Sequence, residues 1–123
     1  MKPRHHHRSE DCRAVSAVLQ RVGDKWTVLV VSMLGNGPMR FNELRHAIGG
    51  ISQKMLTTTL RSLERDGFAT RTVFPTIPPR VDYELTDLGR ELLVPVTVLA
   101  DWARANTGRI NAAREQFDNT PKS

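Results

Sequence analysis

The chain has 123 residues, the length of a single domain of ~100 to 150 residues, and its 18 Lys+Arg exceed its 13 Asp+Glu to give a formal net charge of +5 at pH 7. This balance favours a polyanionic partner, although charge alone does not separate DNA from RNA or an anionic membrane. No run approaches the ~18 apolar residues of a membrane span, and no apolar signal region follows Met1. The one cysteine excludes an intramolecular disulfide framework. We therefore expect a cytoplasmic protein without a membrane partner.

The N-terminal segment is basic and lacks apolar periodicity, so we expect residues 1–11 to form a flexible tail. It contains three consecutive histidines at positions 5–7, but zinc sites use spaced ligands that converge from a folded scaffold, and we expect no metal here. From Cys12 onward apolar residues recur at helical spacing up to Gly23, at Val15, Val18, Leu19 and Val22. This pattern predicts an amphipathic first helix that needs a partner surface.

Two further helices are predicted before residue 50. Asp24 is a suitable N-cap for a second helix through Leu34, whose apolar residues nearly surround the axis, so this helix should be buried. A glycine-rich turn at 35–38 and a short strand at Met39 and Arg40 follow. The third helix carries apolar residues at helical spacing, which are Phe41, Leu44, Ala47 and Ile48.

The stretch 50–68 predicts a fourth helix with two contrasting faces. A helix capped by Ser52 places Leu56, Leu60 and Leu63 on one side, as a core stripe. The opposite side carries polar and cationic residues, which are Gln53, Lys54, Thr57, Thr58, Arg61 and Arg65. Such a face can bind base edges and phosphates in a major groove, and the same composition suits a face that only meets solvent. Following the third helix after a short glycine link, it predicts a helix-turn-helix.

After position 67 the apolar period changes to two, which predicts a hairpin over residues 69–85. Three prolines in its loop, residues 74–79, suit a projecting tip better than the interior of a sheet. Arg71 and Arg80 flank this tip and can reach a minor groove or phosphates. A hairpin that only meets solvent is the alternative.

The last helix should begin at Thr86, a suitable N-cap. It carries one apolar stripe, formed by Leu88, Leu92, Pro95, Leu99 and Trp102. Val94 and Val98 widen this stripe beyond what one small domain covers, so we expect dimerisation through it.

The C-terminal part of the last helix should be interrupted. Pro95 should kink it, and Gly108 should break it before a short helix over residues 110–117. We expect a disordered tail at 119–123 and a folded domain, including the dimerisation helices, over residues 12–118.

The order of these elements predicts a mainly α fold with a small β-hairpin wing, a winged helix-turn-helix with N- and C-terminal dimerisation helices. Several blocks in this order also resemble the HxlR-type transcriptional regulators, which are related to the MarR-type regulators. The resemblance rests on Cys12, GDKW at 23–26, GPMRFNEL at 37–44, ISQKMLTTTL at 51–60, LERDG at 63–67, PPRVDYELTDLG at 78–89 and Trp102.

This resemblance implies a homodimeric, sequence-specific DNA-binding regulator, a repressor or an activator, whose first and last helices form the dimer interface. Of the two, we expect a repressor. A two-fold dimer would read a pseudo-palindromic operator in double-stranded DNA. The candidate DNA-binding residues are Arg40, Ser52, Gln53, Lys54, Thr57, Thr58, Arg61, Arg71 and Arg80. The candidate interface residues are Val15, Val18, Leu19, Leu92, Leu99 and Trp102.

Cys12 is the candidate sensor of a chemical signal. Some regulators that the chain resembles look redox-regulated through a cysteine at this N-terminal position, which implies that Cys12 senses electrophiles or oxidants. The alternative is a cysteine that is merely packed at the start of a dimer helix. Because the chain has no second cysteine, oxidation would end in a bond between two copies of Cys12 or in a mixed disulfide, and an electrophile would alkylate the thiol.

Three other functions are less consistent with the sequence. Catalysis requires a convergent set of nucleophile, base or metal ligands that the chain does not offer, so we expect neither an enzyme nor a cofactor. A winged helix can dock proteins, but that role would favour an acidic or apolar face on the fourth helix. Trp26, Phe41 and Trp102 can line a pocket for a non-covalent small-molecule effector, although such residues are more often part of a core.

Overall fold

The computed structural model describes the backbone of residues 4–121 and the side chains of residues 10–20 and 23–121. These residues form helices and strands in the order expected for a winged helix-turn-helix. The elements are α1 (Arg4–Gly23), α2 (Lys25–Leu34), β1 (Met39–Arg40), α3 (Phe41–Ile48), α4 (Gln53–Arg65), β2 (Ala69–Phe74), β3 (Arg80–Leu85) and α5 (Asp87–Asn119).

Hydrogen bonds from backbone amides to the predicted N-cap side chains fix the starts of three helices. Asp24 accepts from the amide two residues later at 3.0 Å, and Ser52 and Thr86 each accept from the amide three residues later at 3.0 Å. The hydroxyl of Thr86 also donates to the carbonyl of Gly67 at 2.6 Å. Gly67 has a φ of +82° and ends α4 as predicted, so Thr86 ties the end of α4 to the start of α5.

The sheet is antiparallel, with β3 between β1 and β2. Tyr83 on β3 pairs with Met39 on one side and with Arg71 on the other. Since Tyr83 is buried, Arg71 also lies on the core-facing side of the sheet. Asp82 pairs with Arg40, so these two residues lie on the opposite side.

The core lies between the helices and the inner side of the sheet, and α2 packs against all four other helices. The stripe predicted on α4 is confirmed, because Leu56, Leu60 and Leu63 are at most 1% exposed. Burial of each leucine contributes about 1.5–3 kcal/mol. The remaining buried apolar residues are Val30, Val31, Leu34, Leu44, Ile51, Ala69, Tyr83, Leu85 and Val96.

Helix α5 carries two adjoining sets of apolar residues, one buried and one exposed. Gly89 and Val96 are buried, and Leu92 packs partly against the core, so one face belongs to the protomer itself. Leu92 lies on the same side of α5 as Leu88 and Leu99, as the predicted stripe requires, but it is half-buried because this part of the helix packs against the core. The exposed apolar residues of α5 include Leu88, Val94, Val98, Leu99 and Trp102.

The ends of the outer helices differ from the sequence prediction. The predicted break at Gly108 and separate helix over 110–117 are wrong, because α5 runs unbroken from Asp87 to Asn119. One glycine costs a helix only about 1 kcal/mol, which the continuous hydrogen bonding on either side offsets. Helix α1 begins at Arg4 rather than Cys12.

Parts of both predicted tails lie outside the described residues, namely 1–3 and 122–123. Within the described part of the chain, no helix is both long enough and apolar enough to span a membrane.

Candidate nucleic-acid interface

The outer face of α4 is a row of exposed polar and cationic side chains. It contains Gln53, Lys54, Thr57, Thr58 and Arg61. Among the described residues, Gln53, Lys54 and Thr57 make no side-chain hydrogen bond within the protein. Their donors and acceptors are therefore available to a partner, which is the inventory that reads base edges.

Two hydroxyl groups at the same face are already engaged. Ser52 accepts the capping bond from the amide of Met55, and the Thr58 hydroxyl donates to the carbonyl of Lys54 at 2.9 Å. A hydroxyl has one proton and two lone pairs. Ser52 therefore retains a proton for a phosphate oxygen, whereas Thr58 retains lone pairs that can accept from a base.

Arg40 lies between α3 and the wing. Its backbone amide donates to Glu43 at 2.8 Å, which holds the start of α3, and its side chain is exposed. Together with Asn42 it borders a groove of about 700 Å³ whose other wall is the wing tip, residues 76–79. A cation at this position can bind a phosphate of a nucleic-acid backbone.

A second cleft separates α4 from the wing and is about 360 Å³ in volume. Its lining combines two arginines with polar and core residues, which are Thr57, Leu60, Arg61, Glu64, Arg71 and Tyr83. Arg71 therefore lies beside α4 rather than at the wing tip, because β2 turns this residue to the inner side of the sheet. Glu64 also lines this cleft beside the two arginines, and no sequence pattern indicated that position.

Arg80 lies at the loop end of the wing, where two neighbours hold its side chain. Its Cζ lies 4.3 Å from the centroid of the Phe74 ring, and its Nε lies 3.3 Å from Oδ1 of Asp82. Both of these atoms are buried, whereas the Arg80 side chain as a whole is 40% exposed. The guanidinium is thus stacked and anchored at its inner edge, and its outer part faces solvent.

The tip of the wing is apolar. The amide of Thr76 donates to the carbonyl of Phe74 at 2.8 Å, and its hydroxyl donates to the carbonyl of Pro78 at 2.8 Å, which gives the loop a defined turn. Ile77 is fully exposed at this turn. The cations of the wing therefore lie below its tip, at Arg71 and Arg80.

Apart from Leu92, the predicted dimer residues lie on surfaces that the folded chain leaves uncovered. On α1, Cys12 is exposed, and Val15, Val18 and Leu19 are 48%, 51% and 56% exposed. On α5, Leu99 and Trp102 belong to the outer apolar face and are 48% and 56% exposed. This much apolar exposure on two helices is typical of an interface.

The three aromatic residues proposed for an effector pocket have different surroundings. Trp26 and Phe41 pack partly against the core, and Lys25 lies 4.5 Å above the Trp26 ring. Trp102 is exposed on α5. The pocket therefore stays a prediction.

Within the described residues, no group of three or more potential metal ligands occurs. The side chains of the histidines at 5–7 lie outside that range.

Comparison with known proteins gives consistent matches. A family model described as HxlR-like helix-turn-helix matches residues 21–111. The chain is 43% identical over 99 residues to the HTH-type transcriptional regulator YtfH of Escherichia coli strain K12, covering 80% of this chain and 79% of that protein.

Two solved structures show the same architecture. A protein described as transcriptional regulator ytfH from Salmonella typhimurium matches with a TM-score of 0.77 and 42% identity, covering 82% of this chain and 90% of that one. The redox regulator HypR in its oxidized form matches with a TM-score of 0.72 and 39% identity, covering 76% of this chain and 96% of that one.

Proposed function

We propose that this chain, which belongs to the HxlR-like helix-turn-helix family of transcriptional regulators, is a homodimeric repressor that binds a pseudo-palindromic operator. In this proposal α4 is the recognition helix and occupies the major groove, and the hairpin of β2 and β3 is the wing. The single observation that carries the proposal is the exposed polar and cationic face of α4, on which Gln53, Lys54 and Thr57 make no side-chain hydrogen bond within the described part of the protein. An acidic or apolar face would have favoured a protein-docking module.

The roles of individual residues follow from their positions. Gln53, Lys54, Thr57 and Thr58 would meet base edges, because they lie on the outer face of α4 in its first turns. The remaining candidates would bind phosphates or a narrow minor groove, and they are Arg40, Ser52, Arg61, Arg71 and Arg80.

Dimerisation is supported by the two uncovered apolar surfaces. The outer face of α5 is continuous over Val94, Val98 and Trp102 at four-residue spacing, and these side chains are 56–66% exposed. Val15, Val18 and Leu19 of α1 add a second patch. A two-fold arrangement would repeat the recognition helix and place the half-sites about one helical turn, ~34 Å, apart.

The test is the salt dependence of operator binding by the intact protein. If each subunit neutralises ~3 to 4 phosphates, the logarithm of affinity should fall against the logarithm of salt concentration with a slope of roughly −5 to −7 for the dimer. A slope near −1 would contradict the proposal. Arg104→Gln is a matched control, because Arg104 is exposed on α5 and pairs with Asp101, and its replacement should leave the slope unchanged.

A second function, redox sensing through Cys12, is favoured by two observations. Cys12 is exposed on α1, next to the patch that the dimer would use, and the chain is similar to the redox regulator HypR. Oxidation or alkylation there would add a cross-link or bulk at the interface and change the separation of the recognition helices.

Diamide or a quinone should therefore lower the operator affinity of the wild type and leave that of Cys12→Ser unchanged. Full affinity of a wild-type protein whose thiol is shown by mass spectrometry to be modified would exclude Cys12 as the switch. The signal would then be a non-covalent ligand or the abundance of the protein.

A further inference from the structure

The cleft between α4 and the wing brings together one arginine from each element. We propose that Arg61 of α4 and Arg71 of β2 bind the same phosphate of the operator backbone, so that the recognition helix and the wing share one anchor on the DNA. This assignment rests on the proposed function, because the phosphate belongs to bound DNA.

The sheet register directs Arg71 towards α4. Arg71 pairs with Tyr83, and Tyr83 is only 9% exposed, so both side chains lie on the inner side of the sheet. Because β2 is an edge strand, the inner position at Arg71 is open to solvent as well as to α4. A wing arginine on the outer side, such as Arg80, cannot reach this cleft.

Arg61 lies on the side of α4 that meets the wing. Arg61 follows Thr57 by one turn, and both line the cleft, so they mark the boundary between the outer face of α4 and the side that meets the wing. A phosphate at this boundary would lie at the edge of the major groove that α4 occupies.

The charges in the cleft favour a monovalent anion. Two guanidinium groups and the Glu64 carboxylate line it, which leaves a net charge of one positive unit. Among the described residues, neither arginine has a carboxylate within ion-pair distance. Two unpaired cations that share a cleft repel each other, and one phosphodiester placed between them would remove that repulsion.

A purely structural role in the sheet would explain Arg71 but not Arg61. An inward-pointing charge on an edge strand discourages pairing with another chain, which would explain Arg71. It does not explain why Arg61 of α4 lines the same cleft.

The experiment replaces single operator phosphates with uncharged methylphosphonates, one position at a time, and measures the affinity of the intact protein for each duplex. In the wild type, neutralising the shared phosphate should weaken binding on the order of 10-fold to 100-fold. The same position should lose most of its effect in both Arg61→Gln and Arg71→Gln, because each variant has already lost part of the anchor. Arg65→Gln is the matched control, since Arg65 lies one turn further along α4 outside this cleft, and it should retain the wild-type response there.

Three outcomes would overturn the assignment, and they are distinguishable. If Arg61→Gln and Arg71→Gln silence two different positions, each arginine has its own phosphate while DNA binding stands. If the wild type binds duplex DNA with a salt slope near −1 or shallower, the proposed function itself fails. Titration of the DNA-free protein with inorganic phosphate addresses the third outcome. Saturable binding that Arg71→Gln abolishes, combined with no operator position that loses its effect in both variants, would make the cleft a site for free phosphate instead.

Discussion

Gly89 is the position at which the smallest change should have the largest effect on folding. A Cβ at Gly89 would lie 2.0 Å from the carbonyl oxygen of Phe68 and 3.0 Å from its carbonyl carbon. That carbonyl already accepts from the amide of Thr86 at 3.0 Å, so it cannot retreat without disrupting the start of α5. We therefore expect Gly89→Ala to destabilise the protein strongly.

The expected magnitude follows from two contributions. Overpacking a tight contact costs about 1–3 kcal/mol, and a backbone neighbour places this case at the upper end. Loss of the Thr86 hydrogen bond adds about 1 kcal/mol. The free energy of unfolding should thus fall by about 3–4 kcal/mol, a large part of the total stability of a domain of this size.

Gly108→Ala provides a control in the same helix. A Cβ at Gly108 meets no atom within 4 Å, and replacing an interior helical glycine by alanine gains up to about 1 kcal/mol. Urea unfolding followed by circular dichroism, at one fixed protein concentration, should therefore shift the two midpoints in opposite directions. A Gly89→Ala midpoint at or above that of the wild type would refute the reasoning.

Three further predictions concern assembly and DNA recognition. Leu99→Asp should yield monomers in sedimentation experiments at micromolar concentration, because a charge on the outer face of α5 opposes its burial; a wild type that is itself monomeric and fully binds one half-site would contradict the dimer. Lys54→Ala should weaken operator binding by about 1–3 kcal/mol and relax the preference at one base pair, whereas Arg61→Ala should weaken binding to all sequences alike. If the two variants behave the same in binding to operator libraries, this distinction between base contact and phosphate contact is wrong. Asp82→Asn should reduce the preference for A·T-rich flanks that Arg80 provides. In a double-mutant cycle it should have no additional effect in Arg80→Ala, and additive losses would show that Asp82 does not position the guanidinium.

The sequence was most informative where the relevant signal lies within a few residues. In α4 the cap at Ser52 and the leucines at 56, 60 and 63 specify both the start of the helix and its buried face, because capping and helical periodicity depend on neighbours in the chain. The polar outer face then follows by exclusion. These features were predicted correctly, and the role of that face stays a prediction.

Features that depend on contacts between elements were not accessible in this way. Val96 is fully buried but was not singled out, because α5 is apolar on two sides and periodicity does not indicate which side meets the core of the protomer. The stacking of Arg80 on Phe74 requires the register of the hairpin. The alternation of Arg80 and Asp82 along one strand face was the available signal for their pairing.

Because α5 is long, base preference and half-site spacing of the proposed regulator depend on different segments of the chain. Val96 is the last buried residue of this helix, which continues to Asn119, so an arm of roughly 35 Å extends beyond the core at 1.5 Å per residue. In a dimer joined through these arms, the point at which they cross sets the distance between the two copies of α4. Base preference resides in α4 and half-site spacing in the arm, so substitutions in one segment can adapt the protein to a new operator spacing while the half-site sequence stays the same.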